Sequence, residues 1–433
     1  MINDQQRPQK TLAFRVFSVS AVFIYVLVFW LLSRPFTGWL SLGKADEKGL
    51  LAAIRYDKSN ASYHFLLGRY YLMSLNSPDY PKAIARYRAS IQMSPLQAGA
   101  WIDLSKAYQA NGQTAQSQES FERAVKLSPN NADLMWEAGT YWLINNRLDM
   151  AVAALKRYIL LVPARQTDVY DLCWKLRLDN RSILQDLLPD SFEYRSQYLS
   201  YLISTNHVTE AREAWETIDV QSLDKDLFIK YVNFLVAHNL YDEAWKIWEE
   251  ITRQIEGTGA YDETTIIWNP GFEHEMLNGG FDWKISEIAG VNVFIDDTIR
   301  MSGNHSLGVS FDGQHNPDIT IARQIVRAKP SSPYSLRGYV KTDSLTTTNG
   351  IFLLVSGHNC SNFNKSSEVL TGSNFWKELS VDFDVPSDCG AVMIAVRREK
   401  SSKFDNKIEG TAWIDGMTLK PRGIIQTSNS VKH

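Results

Sequence analysis

The stretch AGAWIDLSKAYQANGQTAQSQESFERAVKLSP, residues 98–129, places Trp101, Leu104 and Tyr108 before Gly112, and Phe121, Ala124 and Pro129 after it. Its closing proline is one of three, Pro95, Pro129 and Pro163, set 34 residues apart. A fixed period of this size marks stacked supersecondary units, not a compact enzyme core. The next unit repeats the pattern with Gly139, Trp142, Ala151, Leu155 and Pro163. The preceding one carries Leu67, Gly68, Tyr71, Ala83, Tyr87 and Pro95, with about three extra residues near Ser77-Pro78-Asp79. Small residues such as Gly68, Gly139, Ala124 and Ala151 let two helices approach closely. Trp101, Tyr108 and Phe121 fill the space between units, and each proline ends a second helix because it lacks a donor. One such pair cannot bury its apolar face alone, so neighbours must stack.

These residues resemble the tetratricopeptide repeat, a pair of antiparallel helices, most clearly over residues 61–163. Beyond Pro163 the pattern weakens. Asp171 to Leu188 reads as one helix ending at Pro189. Tyr194, Tyr198, Tyr201, Ala211 and Trp215 suggest a divergent unit, and Phe228, Tyr231, Leu235, Ala244, Trp248 and Ile251 another. The array is therefore expected over 44–255. The resemblance implies a concave groove that binds a peptide or protein. Arg69, Arg86, Gln109 and Asn111 are polar candidates for it, against the plainer reading that they are solvated surface.

Val16 to Leu32 reads VFSVSAVFIYVLVFWLL, uncharged over 17 residues. That is the short end of a membrane span, extendable through Leu12, Ala13 and Phe14 with Arg15 snorkelling. Arg7, Lys10 and Arg15 precede it, which puts the N-terminus in the cytoplasm. A cleaved signal peptide would need a small-x-small site, and Ser33-Arg34-Pro35-Phe36 offers none. The expectation is a cytoplasmic tail over 1–13 and a single-pass anchor over 14–34 in the cytoplasmic (inner) membrane. The bulk of the chain would lie outside the cytoplasm.

Helical spacing stops at Glu256-Gly-Thr-Gly-Ala260, so a linker is expected over 256–263. Alternation of period two follows: Leu307, Val309 and Phe311; Leu379, Val381, Phe383 and Val385; Val392, Ile394 and Val396. Short alternating runs between Gly, Asn and Ser turns indicate an antiparallel sandwich. Asn269-Pro-Gly-Phe-Glu273, Gly280-Phe-Asp-Trp283, Ser302-Gly-Asn-His-Ser-Leu307, Gly338-Tyr-Val-Lys-Thr342 and Ala412-Trp-Ile-Asp415 occur in that order. As a set, over about 264–421, they resemble a carbohydrate-binding module of the family 4/9 jelly-roll type. A disordered tail is expected over 422–433. The fold class is thus multidomain: an N-terminal transmembrane helix, an all-α tetratricopeptide-like superhelix and a C-terminal all-β jelly-roll sandwich.

The resemblance implies a structural calcium held by acids matching Glu273 and Asp415, with Asn269 as a supplement. Carboxylate and carbonyl oxygens suit that ion. The alternative is a pair of acids satisfied by backbone amides. Asp415 shares strand parity with Trp413, Met417 and Leu419, which would bury it if that face points inward. The resemblance also implies sugar stacking on aromatic rings. Trp283, Trp376 and Phe363, with Phe375, are the candidate platforms, and His358 and Asn359 the candidate polar contacts. Trp283 and Trp376 also fit core positions. Cys360 and Cys389 are either a disulfide or two buried thiols.

A net charge of −3 and the lack of a long basic run argue against nucleic acid. His274-Glu275 begins a zincin motif, but Asn278 stands where the second histidine is needed. No phosphate loop, dinucleotide fingerprint or nucleophile elbow is present, and no enzyme is expected. The reading is a membrane-anchored scaffold that recruits proteins through its repeats and binds polysaccharide through its sandwich, in the assembly or export of a bacterial cell-surface polysaccharide. One alternative is a protein-interaction adaptor of an envelope complex that binds no sugar. The other is a glycan-active enzyme.

Overall fold

A computed structural model describes residues 7–44, 46–74, 77–256, 265–404 and 406–422. The expected linker at 256–263, the expected tail at 422–433 and residues 1–6 of the expected cytoplasmic tail lie largely or wholly outside these. The chain forms two compact units, Met1–Pro189 and Asp190–His433.

The first unit is helical. It contains α1 (Arg7–Ser41), α2 (Glu47–Tyr56), α3 (Ala61–Met73), α4 (Tyr80–Met93), α5 (Ala98–Ala110), α6 (Thr114–Leu127), α7 (Ala132–Ile144), α8 (Leu148–Leu161), α9 (Gln166–Lys175) and α10 (Asn180–Ser182), the last prolonged by a π-helical turn over Ile183–Leu187. The proline period has a direct backbone cause. Ser94, Ser128 and Val162 precede the three prolines, and all three leave their helices at φ −136°. A following proline disfavours the helical region for the residue before it. The small residues act as expected. A Cβ on Gly68 would lie 2.8 Å from the Tyr87 ring, and one on Gly139 would lie 2.5 Å from Leu155.

A second periodic device is less visible in the sequence. Gly112, Asn146, Arg177, Asn206 and Asn239 all take positive φ. After each, an amide returns to a carbonyl five residues back: Gln113 to Tyr108, Arg147 to Trp142, Leu178 to Cys173, His207 to Leu202 and Leu240 to Leu235, at 2.8–3.0 Å. This is the Schellman closure of a helix. It splits the single helix expected over Asp171–Leu188 into two, because Arg177 turns left-handed between them.

Ala21–Ser41, within α1, is long and apolar enough to cross a membrane. The helix does not stop near residue 34 but carries Arg34-Pro35 inside it and continues to Ser41. Its last turns pack on α2 and α3. A Cβ on Gly38 would meet the Tyr63 ring at 3.3 Å and the Ala53 carbonyl at 3.5 Å.

The second unit joins four helices to a sandwich. The helices are α11 (Phe192–Ser204), α12 (Val208–Trp215), α13 (Lys225–Ala237) and α14 (Tyr241–Glu256). The strands are β1 (Lys284–Ile285), β2 (Val291–Asp296), β3 (Ser306–Asp312), β4 (Ile319–Arg327), β5 (Pro333–Leu345), β6 (Phe352–Gly357), β7 (Asn364–Ser366), β8 (Gly372–Asp384), β9 (Ala391–Arg398) and β10 (Glu409–Pro421). They form two antiparallel sheets, ordered β1-β4-β9-β6-β7 and β2-β3-β10-β5-β8. From β3 to β6 each strand crosses to the other sheet. Leu307, Val309, Phe311, Leu379, Val381, Phe383, Val392, Ile394 and Val396 all join the core between the sheets, as their alternation requires.

The last helix pair packs on this sandwich. Trp248 is fully buried, with its ring 5.5 Å from Trp268 and 6.1 Å from Phe281. The Arg327 guanidinium on β4 lies 4.6 Å from the Trp245 ring and pairs with Asp242. The Gly280 amide donates to Asn233 Oδ1 at 2.9 Å. A side chain on Gly280 would overlap Trp248, so the glycine permits the contact.

Candidate functional site

The acids Glu273 and Asp415 come together where the opening segment of the sandwich meets β10. The Met417 amide donates to the Pro270 carbonyl at 2.9 Å, and the Ile266 amide to the Leu419 carbonyl at 3.4 Å. Asp415 is fully buried. Its Oδ2 accepts from the Met301 and Ser302 amides at 2.8 and 2.9 Å, and its Oδ1 from the Gly416 amide. Glu273 accepts from the Asn304 and His305 amides at 2.9–3.2 Å. A Cβ on Gly271 would sit 3.5 Å from Asp415 Oδ1 and 3.6 Å from Glu273 Oε1, so this glycine leaves space between the two carboxylates. Burial raises the Asp415 carboxyl above its usual range; three amide donors oppose this, and the Glu273 charge adds to it. Asn269 is used otherwise. Its Oδ1 accepts from the His274 amide, its Nδ2 donates to the His274 carbonyl, and its own carbonyl accepts from Trp283 Nε1. Among the described residues no group of three or more His, Cys, Asp or Glu side chains is placed to hold a metal ion.

Asp415 does not share a face with Met417 and Leu419, as strand parity led one to expect. A register shift between Asp415 and Thr418, with Gly416 at φ 59°, moves Met417 and Leu419 to the core side. Ala412 and Ile414 join the core before the shift. Trp413 faces the opposite side, so Asp415 is not buried by sharing a face with Met417.

The aromatic candidates separate sharply. Trp283 is fully buried against Phe272, 5.2 Å away, and has no face to offer a ligand. Phe363 packs on the core and stacks on Phe383 at 6.1 Å. Trp376 is half-buried on β8. His358 and Asn359 do not form a free polar loop. Asn359 Nδ2 donates to the Ala237 carbonyl and to Asn239 Oδ1, and His358 Nδ1 lies 2.9 Å from the Tyr241 hydroxyl. Burial, and then the Arg323 charge, lower the His358 pKa. Cys360 and Cys389 are bonded, with Cα atoms 5.2 Å apart, and close this loop onto the residues before β9.

A different cleft lies on the outer face of the other sheet, with a volume of about 300 Å³. Lys341, Thr342 and Asp343 of β5, Asn374 and Phe375 of β8, and Trp413 of β10 line it. Phe375 is 92% exposed. Lys341 Nζ stands 5.7 Å from the Trp413 ring, and the Trp413 indole donates to Asp296 at 2.8 Å. An exposed ring, a cation–π pair and amide and carboxylate groups in one cleft can stack on a ring face and hydrogen-bond hydroxyls. The register Trp413↔Lys341 across β10 and β5 builds it. Strand alternation alone does not assign Trp413 a binding role, because its face depends on the register shift that follows it.

In the helical unit, Arg69 pairs with Asp103 at 3.4 Å, and Lys106 with Glu137 at 2.6 Å. Each links one first-position helix to the next. Burial raises the Asp103 carboxyl, and Arg69 opposes that shift. Arg69 thus has a structural role, while Gln109 and Asn111 remain exposed.

A tetratricopeptide-repeat family model matches residues 102–168. The tRNA(Glu)-specific nuclease WapA of Bacillus subtilis subsp. natto is 23% identical over 188 residues, covering 42% of this chain and 8% of that protein. Superkiller protein 3 of Schizosaccharomyces pombe is 27% identical over 104 residues, covering 24% of this chain and 7% of that protein. The chain therefore spans less than a tenth of the length of these curated relatives. Among solved structures, TmCBM61 in complex with β-1,4-galactotriose is 16% identical, covering 36% of this chain and 99% of that one, with a TM-score of 0.27. The family match places tetratricopeptide repeat over residues 102–168, which run from α5 through α8 into the start of α9.

Proposed function

We propose that this chain is a non-catalytic, membrane-anchored scaffold. Its repeats recruit proteins, and its sandwich binds a glycan in the cleft of Lys341, Asn374, Phe375 and Trp413. α1 is the single span of the cytoplasmic membrane, with the N-terminus in the cytoplasm and both compact units outside. The role that fits these parts is the assembly or export of a cell-surface polysaccharide. The observation that carries the reading is the division of labour between the two sheets. Residues of one sheet and its loops hold the α13–α14 pair, while the other presents an exposed aromatic cleft. Glycan arrays with the full chain in detergent test it. Phe375→Ala should abolish glycan binding without moving the melting temperature, because a ring that exposed contributes little to the core. Absence of binding by the unmodified chain would favour the protein-only adaptor.

Calcium belongs to the same proposal. The Glu273–Asp415 pair fits a hard cation, since two carboxylates face a space kept open by Gly271, and a cation would offset the burial of Asp415. It would tie the opening segment to β10 by carboxylate ligation. Chelation should lower the melting temperature of the second unit, and Asp415→Ala should remove that dependence. Identical melts with and without chelator would refute the site.

A further inference from the structure

We infer that the turn between α2 and α3 is a second membrane contact, resting on the phospholipid headgroups beside α1, with Arg55 and Lys58 against phosphate oxygens and Tyr56 in the interface. This rests on the reading of α1 as a span. A Cβ on Gly49 would lie 2.6 Å from the Ser41 carbonyl, and a Cβ on Gly38 would lie 3.5 Å from the Ala53 carbonyl. Residue 49 is thus level with 41, and 53 with 38, so α2 runs back along α1 towards the membrane. Extended by one turn, that register brings Tyr56 level with about residue 35.

The same packing limits the span. α2 carries exposed Lys48 beside Ser41 and exposed Arg55 level with about residue 36, and hydrocarbon would accept neither. The hydrocarbon edge must therefore lie near Arg34, before the end of the apolar window. The Arg34 guanidinium lies 4.3 Å from the Trp30 ring, an arrangement suited to the interface. The headgroup layer adds roughly 5–8 Å beyond the hydrocarbon on each side. One helical turn covers about that distance. The α2–α3 turn falls within this layer.

Its chemistry fits the place. Tyr56 is 46% exposed, and Arg55 and Lys58 are exposed and join no ion pair among the described residues. The nearby acid, Asp57, accepts hydrogen bonds from the Ser59 amide and hydroxyl and from Asn60 Nδ2. The turn thus offers two cations and an amphipathic ring to an anionic surface.

The test uses the full chain in nanodiscs of phosphatidylcholine and phosphatidylglycerol, with a nitroxide placed singly through Tyr56→Cys, Phe29→Cys or Leu96→Cys. Cys173 is buried and Cys360 and Cys389 are bonded, so the label goes to the new thiol. Collision with oxygen and with a water-soluble nickel chelate is measured. Position 29 should be oxygen-accessible and position 96 nickel-accessible. Position 56 should show several-fold lower nickel accessibility than 96. Arg55→Glu with Lys58→Glu should raise it towards the value at 96. Nickel accessibility at 56 equal to that at 96, with 29 still in lipid, would overturn the contact and leave the anchor intact. Protection at 56 unchanged by the charge reversal would overturn the phosphate contact. Nickel access at position 29 would overturn the span itself.

Discussion

Phe121 and Trp248 occupy the same point of their hairpins, four residues after a buried small residue, Ser117 in one and Ala244 in the other. Their surroundings differ. The Phe121 ring lies 4.5 Å from Tyr141 and 5.7 Å from Trp142, both on the next repeat. The Trp248 ring meets Trp268 and Phe281, which precede the first strand of the sandwich. A repeat hairpin needs an apolar neighbour, and the last one finds it in a β domain. The sandwich therefore caps that hairpin, which explains why α11–α14 share a compact unit with the strands.

The largest expected effect breaks this comparison directly. Trp248→Ala should cost about 3–5 kcal/mol, as deletion of a buried aromatic ring does. Phe121→Ala should cost a similar amount. The two should differ in readout: Trp248→Ala should lower the melting of the β signal together with the helical signal of the second unit, and Phe121→Ala only the helical signal of the first. A β melt unchanged by Trp248→Ala would show that the hairpin and sandwich do not fold as one.

A smaller effect sharpens the other side. Gly139→Ala places a methyl against Leu155, itself fully buried. The overlap should cost about 1–3 kcal/mol, set against a helix-propensity gain of about 1 kcal/mol. A net loss is expected in chemical denaturation, and Leu155→Val in the same chain should recover part of it. A net gain would mean that the helices of this repeat can move apart.

The smallest effect concerns pH. Burial, and then the Arg323 charge, set the folded pKa of His358 below the usual 6.5. A depressed histidine contributes stability that is full above 6.5 and is lost as pH falls through 6.5 towards the folded value. The second unit should thus be less resistant to denaturant below pH 6.5 than above it. His358→Phe should flatten that dependence, and an equal slope in the variant would assign it to other groups.

Much of the helical half was legible because proline constrains its predecessor, and that constraint recurs at Pro95, Pro129 and Pro163. The left-handed turns were harder to read, since Asn146, Asn206 and Asn239 are ordinary loop residues and Arg177 is seldom found there. In the sandwich, alternation located the core strands correctly. It failed at β10, where one register shift reverses which side chains face inward, hiding the outward Trp413. The contact between hairpin and sandwich was not legible. Trp245, Trp248, Trp268 and Phe281 have no spacing that distinguishes them from ordinary core residues of two separate domains. His358 and Asn359 likewise looked like a free polar loop, because their partners lie more than a hundred residues away.

The packing of Gly38 on Tyr63 has a mechanical consequence. The contacts of Gly38 with the Tyr63 ring and the Ala53 carbonyl tie the last turns of α1 to α2 and α3, so these three helices are expected to tilt together. A tilt of α1 swings the first hairpins through the same angle. A pull on those hairpins reaches α1 as torque instead of being absorbed by a tether.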